Sequence, residues 1–288
     1  MTEQVDVVVV GLGPGGEHVA GRMADAGLRV AGVEAELVGG ECPPEEPESS
    51  ALASEVLSAE GLAVRTGARA AEVSHSGAGF TVRLEGGEEL TAECLLVATG
   101  RRVDLSELGM DTVDLDPGAR ALEVDGRMSA GPGLWAIGDV TGRGAFTHMA
   151  MYQAEIAARA LLNEPGPEAD YRAVPRVTFT DPEIGAVGLT EQQARERNLR
   201  VRTGVGQVPT STRGWIHKAG NQGFIKLVED ADRGVLVGAT SAGPMGGEVL
   251  YGLAVAVQAE VPVERLRHMI YAYPTFRRGM EDALAALR

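Results

Sequence analysis

The sequence predicts an α/β protein in which a parallel-sheet domain carrying a β-meander is followed by an α+β domain. Four observations predict it. Val5–Val10 reads VDVVVV, an almost unbroken β-branched run suited to a strand buried on both faces. It meets a glycine-rich turn, a helical stretch from Pro14 to Ala26 and a second strand, Leu28–Glu34, which together make a β-α-β unit. Ala70–His75, Gly79–Leu84 and Glu89–Thr91, separated by Ser-Gly-Ala-Gly and Glu-Gly-Gly, read as a three-stranded meander. Beyond Ala169, strand-like segments precede a run of helices, which is an α+β order.

The remaining elements follow in order. Pro14 sits in the first helix's opening turn and Gly27 stops it. Val38–Ser50 holds three prolines and four glutamates and reads as a loop or linker. A short helix over Ala51–Glu60 ends at Gly61, and Leu62–Arg65 reads as a strand. Cys94–Ala98 and Gly133–Ile137 read as buried strands, ending in Thr99-Gly100 and Gly138-Asp139. Phe146–Leu162 is a helix, and Asn163–Ala169 a linker dividing domains at 1–165 and 166–288. The second domain has strands at Val174–Thr180, Ile184–Leu189, Arg200–Gln207, Gly223–Glu229 and Gly234–Ser241. Helices follow at Gly247–Ala259, Val263–Met269 and after Pro274.

Composition narrows the function. At 288 residues the chain can bury a large core without metal or disulfide staples, and no metal site is expected. A net charge of −15 argues against a nucleic-acid or anionic-membrane surface, since either needs clustered Lys and Arg. No apolar run reaches spanning length. Two widely separated cysteines, Cys42 and Cys94, and a start that runs directly into a strand predict a reducing, cytoplasmic setting with no targeting segment.

Gly11-x-Gly13-x-x-Gly16 lies between strand and helix, and Glu34 ends the next strand. Gly11 allows the tight turn, Gly13 lets a pyrophosphate approach the backbone, and Gly16 lets helix and strand pack closely. The helix N-terminus offers N–H groups to phosphates. Glu34 can accept hydrogen bonds from ribose hydroxyls. This reads as a Rossmann-like dinucleotide site, and the motif by itself does not separate FAD from NAD. By residue type, Asp139 reads equally as a turn or capping residue.

The chain resembles the class I pyridine nucleotide-disulfide oxidoreductases, the family of dihydrolipoamide dehydrogenase, glutathione reductase and mercuric reductase. The resemblance rests on VVVVGLGPGGEHVAGRMADAGLRVAGVE, LVGGEC, LAVRTGARAAEVSHSGAGFTVRLEGGEELTAECLLVATGRR, GLWAIGDVTGRGAFTHMAMYQAEIAARAL, PRVTFTDPEIGAVGLTE and GFIKLVEDADRGVLVGATSAGPMGGEVL. It implies FAD at the fingerprint, held by Gly11, Gly13, Pro14, Gly15, Gly16 and Glu34, with Gly40 and Gly100 nearby. It also implies that Gly138-Asp139 meets the ribityl–phosphate part of FAD. The helix starting at Thr147-His148 would aim its N-terminus at the flavin, with His148 lining the ring. The C-terminal half would form a homodimer.

Three departures accompany the resemblance. Cys42 holds the first position of the family's C-x-x-x-x-C redox pair, and Pro47 holds the second. Neighbouring glutamates disfavour a thiolate at Cys42, and Cys94 is expected to be a buried, inert residue. No second glycine-rich fingerprint follows, and 51–102 resembles only the end of the family's NAD(P) domain. The family's catalytic His and Glu positions hold Tyr273 and Arg278. Tyrosine, with a pKa of about 10, is a poor base at neutral pH, and arginine cannot orient a base as a carboxylate does. The expectation is an FAD-binding flavoprotein oxidoreductase without dithiol chemistry. NAD(P)H would be the electron donor and a small molecule the acceptor. The alternative is a non-catalytic FAD-binding homodimer.

Overall fold

The computed structural model describes residues 2–10, 20, 23–24, 26–33, 45–99, 105, 109–113, 115–116 and 118–288. The chain divides into two compact units, 1–99 with 172–288, and 100–171.

In the first unit, strands β1 (Thr2–Gln4), β2 (Val7–Val10), β3 (Val30–Val33), β4 (Ala63–Arg65), β5 (Ala70–Ser76), β6 (Gly79–Leu84), β7 (Glu89–Ala92) and β8 (Cys94–Val97) build two sheets. One is parallel throughout, in the order β4-β3-β2-β8. The other is the meander, with β1 added parallel to β7. The valine run works as its pattern predicts, because β2 is buried on both faces. Val8 packs with Ala31, Val33, Val82 and Leu90, while Val7 and Val9 pack with Ala20, Val30, Leu57 and Leu62. Ala20, Met23 and Ala24 are helical. That helix closes on Gly27 at φ +83°, where Gly27 N–H donates to Ala24 O and Leu28 N–H to Met23 O. These paired bonds are those of a Schellman cap, whose left-handed residue glycine adopts without strain.

The Val38–Ser50 loop is corrected at its C-terminal end. A helix spans Pro47–Ala59, with Pro in its first turn, Glu48 in the same turn and Glu46 as N-cap. Proline costs nothing there, because a first-turn N–H has no intrahelical partner. Cys94 is exposed rather than buried. β8 ends the parallel sheet, and only Leu95 and Leu96 of its four residues are partly covered.

The second half of this unit is a five-stranded antiparallel sheet. Its strands are β11 (Pro175–Thr178), β12 (Glu183–Gly188), β13 (Val201–Gln207), β14 (Phe224–Asp230) and β15 (Val235–Gly243), in the order β11-β12-β15-β14-β13. Helices Gly246–Gln258, Val263–Arg267 and Gly279–Ala285 contribute to one large core with it. Gly204 and Gly206 allow the last helix to lie on β13, since a Cβ at Gly204 would stand 2.1 Å from Ala283 O. A smaller cluster joins Ala53 of the 47–59 helix to Ile184, Phe224 and Ala242. Two short helices, Glu191–Glu196 and Thr212–His217, add to the predicted set. The first carries a complete capping box between Thr190 and Gln193.

The second unit holds a small hairpin, β9 (Ser129–Gly131) with β10 (Leu134–Trp135), a 3-10 turn over Gly138–Thr141 and a helix over Thr147–Leu161. The Gly133–Ile137 strand is corrected here. It is two residues long, pairs antiparallel with β9 and is only half-buried. Gly131-Pro132-Gly133, with Gly133 at φ +75°, folds the run back on its own neighbour. The 163–171 segment lies against its own unit. Ala169 N–H donates to Gly126 O, and Asp170 N–H to the Tyr152 hydroxyl.

Candidate functional site

Among the described residues, the predicted cofactor contacts Gly138, Asp139, Thr147 and His148 all fall in the 100–171 unit. Gly11, Gly13, Pro14, Gly15, Gly16, Glu34, Gly40, Cys42 and Gly100 lie outside the described residues. Gly138 adopts φ +78°, a region that side-chain-bearing residues enter only with strain. It begins the 3-10 turn, and Gly142, at φ +63°, ends it by donating its N–H to Asp139 O. Between them Asp139 is exposed. The sharp change of direction at Gly138 is what brings a carboxylate to the surface directly after a strand.

The Thr147–Leu161 helix begins nearby in sequence, with Phe146 as its N-cap and no side chain capping the first turn. The N–H groups of Met149 and Ala150 both donate to Phe146 O, and the positive end of the helix dipole favours negative charge at this end. Thr147 and His148 are exposed, and the His148 ring stacks on Phe146 at 5.1 Å with planes 11° apart. A hydroxyl-accepting carboxylate and an anion-favouring helix end fit a group with sugar-like hydroxyls and developing negative charge.

Three residues that sequence reasoning missed hold this arrangement together. Gln153 is fully buried in the helix, its side-chain oxygen accepting the Gly138 N–H at 2.6 Å. Its nitrogen donates to Thr141 Oγ1 at 3.2 Å and to the Tyr171 hydroxyl at 3.1 Å. The signal was present in the helical spacing. Met149, Gln153, Ile156 and Ala157 form the buried stripe, and Gln153 is its polar member.

Tyr273 belongs to the other unit. Its exposed ring lies under the Arg278 guanidinium at 5.3 Å, and its hydroxyl donates to Thr212 Oγ1 at 3.1 Å. Arg278 also pairs with Glu281 at 2.9 Å. The two residues thus meet as a cation–π pair, an arrangement with no carboxylate directed at a base. Pro47 is an exposed helix-opening residue. Among the described residues, no group of three or more His, Cys, Asp or Glu side chains could hold a metal, and no helix is long and apolar enough to cross a membrane.

The fold is a parallel α/β sheet with a meander, followed in the chain by a five-stranded antiparallel sheet, and comparison with known proteins makes the class specific. A family model described as pyridine nucleotide-disulphide oxidoreductase matches residues 43–154. A second, described as the dimerisation domain of that group, matches 174–284. The chain is 36% identical over 255 residues to a dihydrolipoyl dehydrogenase of Thermus scotoductus, covering 85% of this chain and 54% of that protein. It is 33% identical over 247 residues to a mercuric reductase of Staphylococcus aureus, covering 84% of this chain and 45% of that one. The structure of LpdA from Mycobacterium tuberculosis superposes with a TM-score of 0.84 at 27% identity, over 98% of this chain and 61% of that chain. The chain spans about half the length of these curated relatives. It belongs to the class I pyridine nucleotide-disulfide oxidoreductase family.

Proposed function

We propose that this chain binds FAD and acts as a homodimeric flavoprotein oxidoreductase, moving electrons from NAD(P)H to a small-molecule acceptor without dithiol–disulfide exchange. The observation that carries the reading is the exposed Asp139 turn, followed by an uncapped helix N-terminus, in a chain of this family. Bound flavin would supply the electron-transfer chemistry. Asp139 would accept a hydrogen bond from a ribityl hydroxyl. The first turn at Thr147-His148 would favour negative charge on the isoalloxazine. Gly11 to Gly16 and Glu34 would hold the adenosine and pyrophosphate, with Gly40 and Gly100 beside them. Residues 1–165 would form the cofactor domain and 166–288 the dimerising domain. The match to the family's dimerisation model and the exposed Tyr251 and Val255 of the Gly246–Gln258 helix support the latter.

A second reading, a non-catalytic FAD-binding homodimer, is favoured by the Tyr273–Arg278 stack, which sets a guanidinium rather than a carboxylate beside the Tyr273 ring. Purified protein that carries flavin shows an absorbance band at about 450 nm. Oxidation of NADH or NADPH by that holoprotein with a quinone acceptor then separates the readings. Slow turnover supports the oxidoreductase, flavin without turnover the non-catalytic dimer, and failure to bind FAD defeats both.

A further inference from the structure

We propose that Gln153 is the positioning residue that sets where the Asp139 carboxylate stands relative to the N-terminus of its own helix. This inference rests on the reading of Asp139 as an FAD contact. The 3-10 turn is gripped at both ends by one side chain. Gly138 N–H donates to Gln153 Oε1 at 2.6 Å, and Gln153 Nε2 donates to Thr141 Oγ1 at 3.2 Å. Thr141 closes the loop by donating its hydroxyl to Gly138 O at 2.8 Å. The direction of the amide is fixed, because a backbone N–H can only donate and so must face the oxygen. Asp139 lies between the two gripped residues.

Packing does not explain the glutamine. Its neighbours on the buried stripe are Met149, Ile156 and Ala157, where leucine or methionine would fill the same space. A buried amide is costly unless its polar atoms are partnered, and every side-chain polar atom of Gln153 reaches a partner. The remaining partner, Tyr171, comes from the last residue of the unit. It also donates to Met128 Sδ at 3.7 Å and lies under the Arg143 guanidinium at 5.5 Å. The turn that presents Asp139 and the helix whose N-terminus follows it are thereby one rigid piece. A cofactor that must meet both at once binds to a geometry already set, rather than ordering the turn as it binds.

Gln153→Met, Gln153→Glu and Tyr171→Phe test this with two readouts. FAD affinity should fall on the order of tenfold to a hundredfold in Gln153→Met, with a shifted flavin absorbance band and unchanged far-UV circular dichroism. Gln153→Glu keeps an acceptor for Gly138 and should recover part of that loss. Tyr171→Phe removes one bond and should weaken binding less. The second readout needs no cofactor. Hydrogen exchange across Gly138–Gly142 in the free protein should quicken in Gln153→Met. Wild-type FAD affinity and spectrum in Gln153→Met overturn the inference, as does unchanged exchange at the turn. Loss of helical content with no recovery in Gln153→Glu also overturns it, because the residue would then be serving the core alone. Wild-type protein that binds no FAD, while the exchange difference remains, defeats the cofactor reading and leaves the positioning role standing.

Discussion

Asp139 and Gly13 test the cofactor site from two sides. On the proposed reading a side chain at Gly13 would stand where the pyrophosphate approaches the backbone, so Gly13→Val should abolish FAD binding. Asp139→Ala removes one charge-assisted hydrogen bond, and affinity should fall about tenfold to a hundredfold. Titration followed by flavin fluorescence checks both, and unchanged affinity removes the residue from the site. Gly138→Ala should weaken FAD binding through the backbone. At φ +78° an alanine costs about 1–2 kcal/mol, which the turn relieves by moving. A Gly138→Ala protein with normal stability and normal affinity would show that the turn tolerates a Cβ.

At the scale of the element, the 47–59 helix is tied to the antiparallel sheet by charge as well as by Ala53. Lys226 is 4% exposed, and its ammonium donates to Glu46 at 2.9 Å and Glu48 at 2.7 Å. Glu191 completes the set at 3.1 Å, and its own N–H donates to Glu46. Beside them Arg176 pairs with Glu45 at 2.9 Å. Burial by itself would push the Lys226 pKa down. The hydrogen bonds to Glu48 and Glu46 outweigh it and hold the group above the usual lysine value. Removing the cation strands a buried carboxylate, so Lys226→Met should cost about 3–5 kcal/mol in urea denaturation. Adding Glu46→Gln and Glu48→Gln should restore much of that loss, and no recovery would show that the pairing is not what Lys226 supplies. The hydrogen bond from Arg195 lowers the Glu191 pKa, burial opposes it, and Lys226 lowers it further. A depressed carboxylate stabilises the fold fully above its unfolded value near 4.5 and loses that contribution as pH falls through the lower folded value. Stability measured downward from pH 6 should therefore decline below that point less steeply in Glu191→Gln than in wild type.

For the whole molecule, the Gly246–Gln258 helix carries the argument. Val249, Leu250, Leu253, Ala256 and Val257 face the core, while Tyr251 is 74% exposed and Val255 is half-exposed. Trp215 at 75% and Ile270 at 98% add to the apolar surface of the same domain. An exposed helix face that carries Tyr251 and Val255 calls for a second apolar neighbour, which a second copy would supply if this region dimerises as its family model suggests. Light scattering on a sizing column should give twice the chain mass, with Tyr251→Asp shifted toward monomer. A wild-type monomer at micromolar concentration would end the homodimer reading.

What the sequence determined by itself was whatever depends on short-range pattern. The valine run, the meander turns, the C-terminal strands and the Gly27 stop are local in origin, since period, turn chemistry and left-handed backbone are written within a few residues. The resemblance to the family, rather than local pattern, is what sets Cys42 with Pro47, and Tyr273 with Arg278, against the family's catalytic positions. Only the tertiary structure decided the rest, because those features depend on partners distant in the chain. Glu45 and Glu46 read as part of a loop or linker, and Arg176 and Lys226, more than a hundred residues later, account for their burial. Gly133–Ile137 read as a core strand, and pairing made it half of a small hairpin. Cys94 read as buried, and its place at the end of a sheet left it exposed. Gln153 showed only as a polar interruption in an apolar stripe, and its meaning came from Gly138, fifteen residues earlier, whose N–H it alone receives among the hydrogen bonds described for that turn.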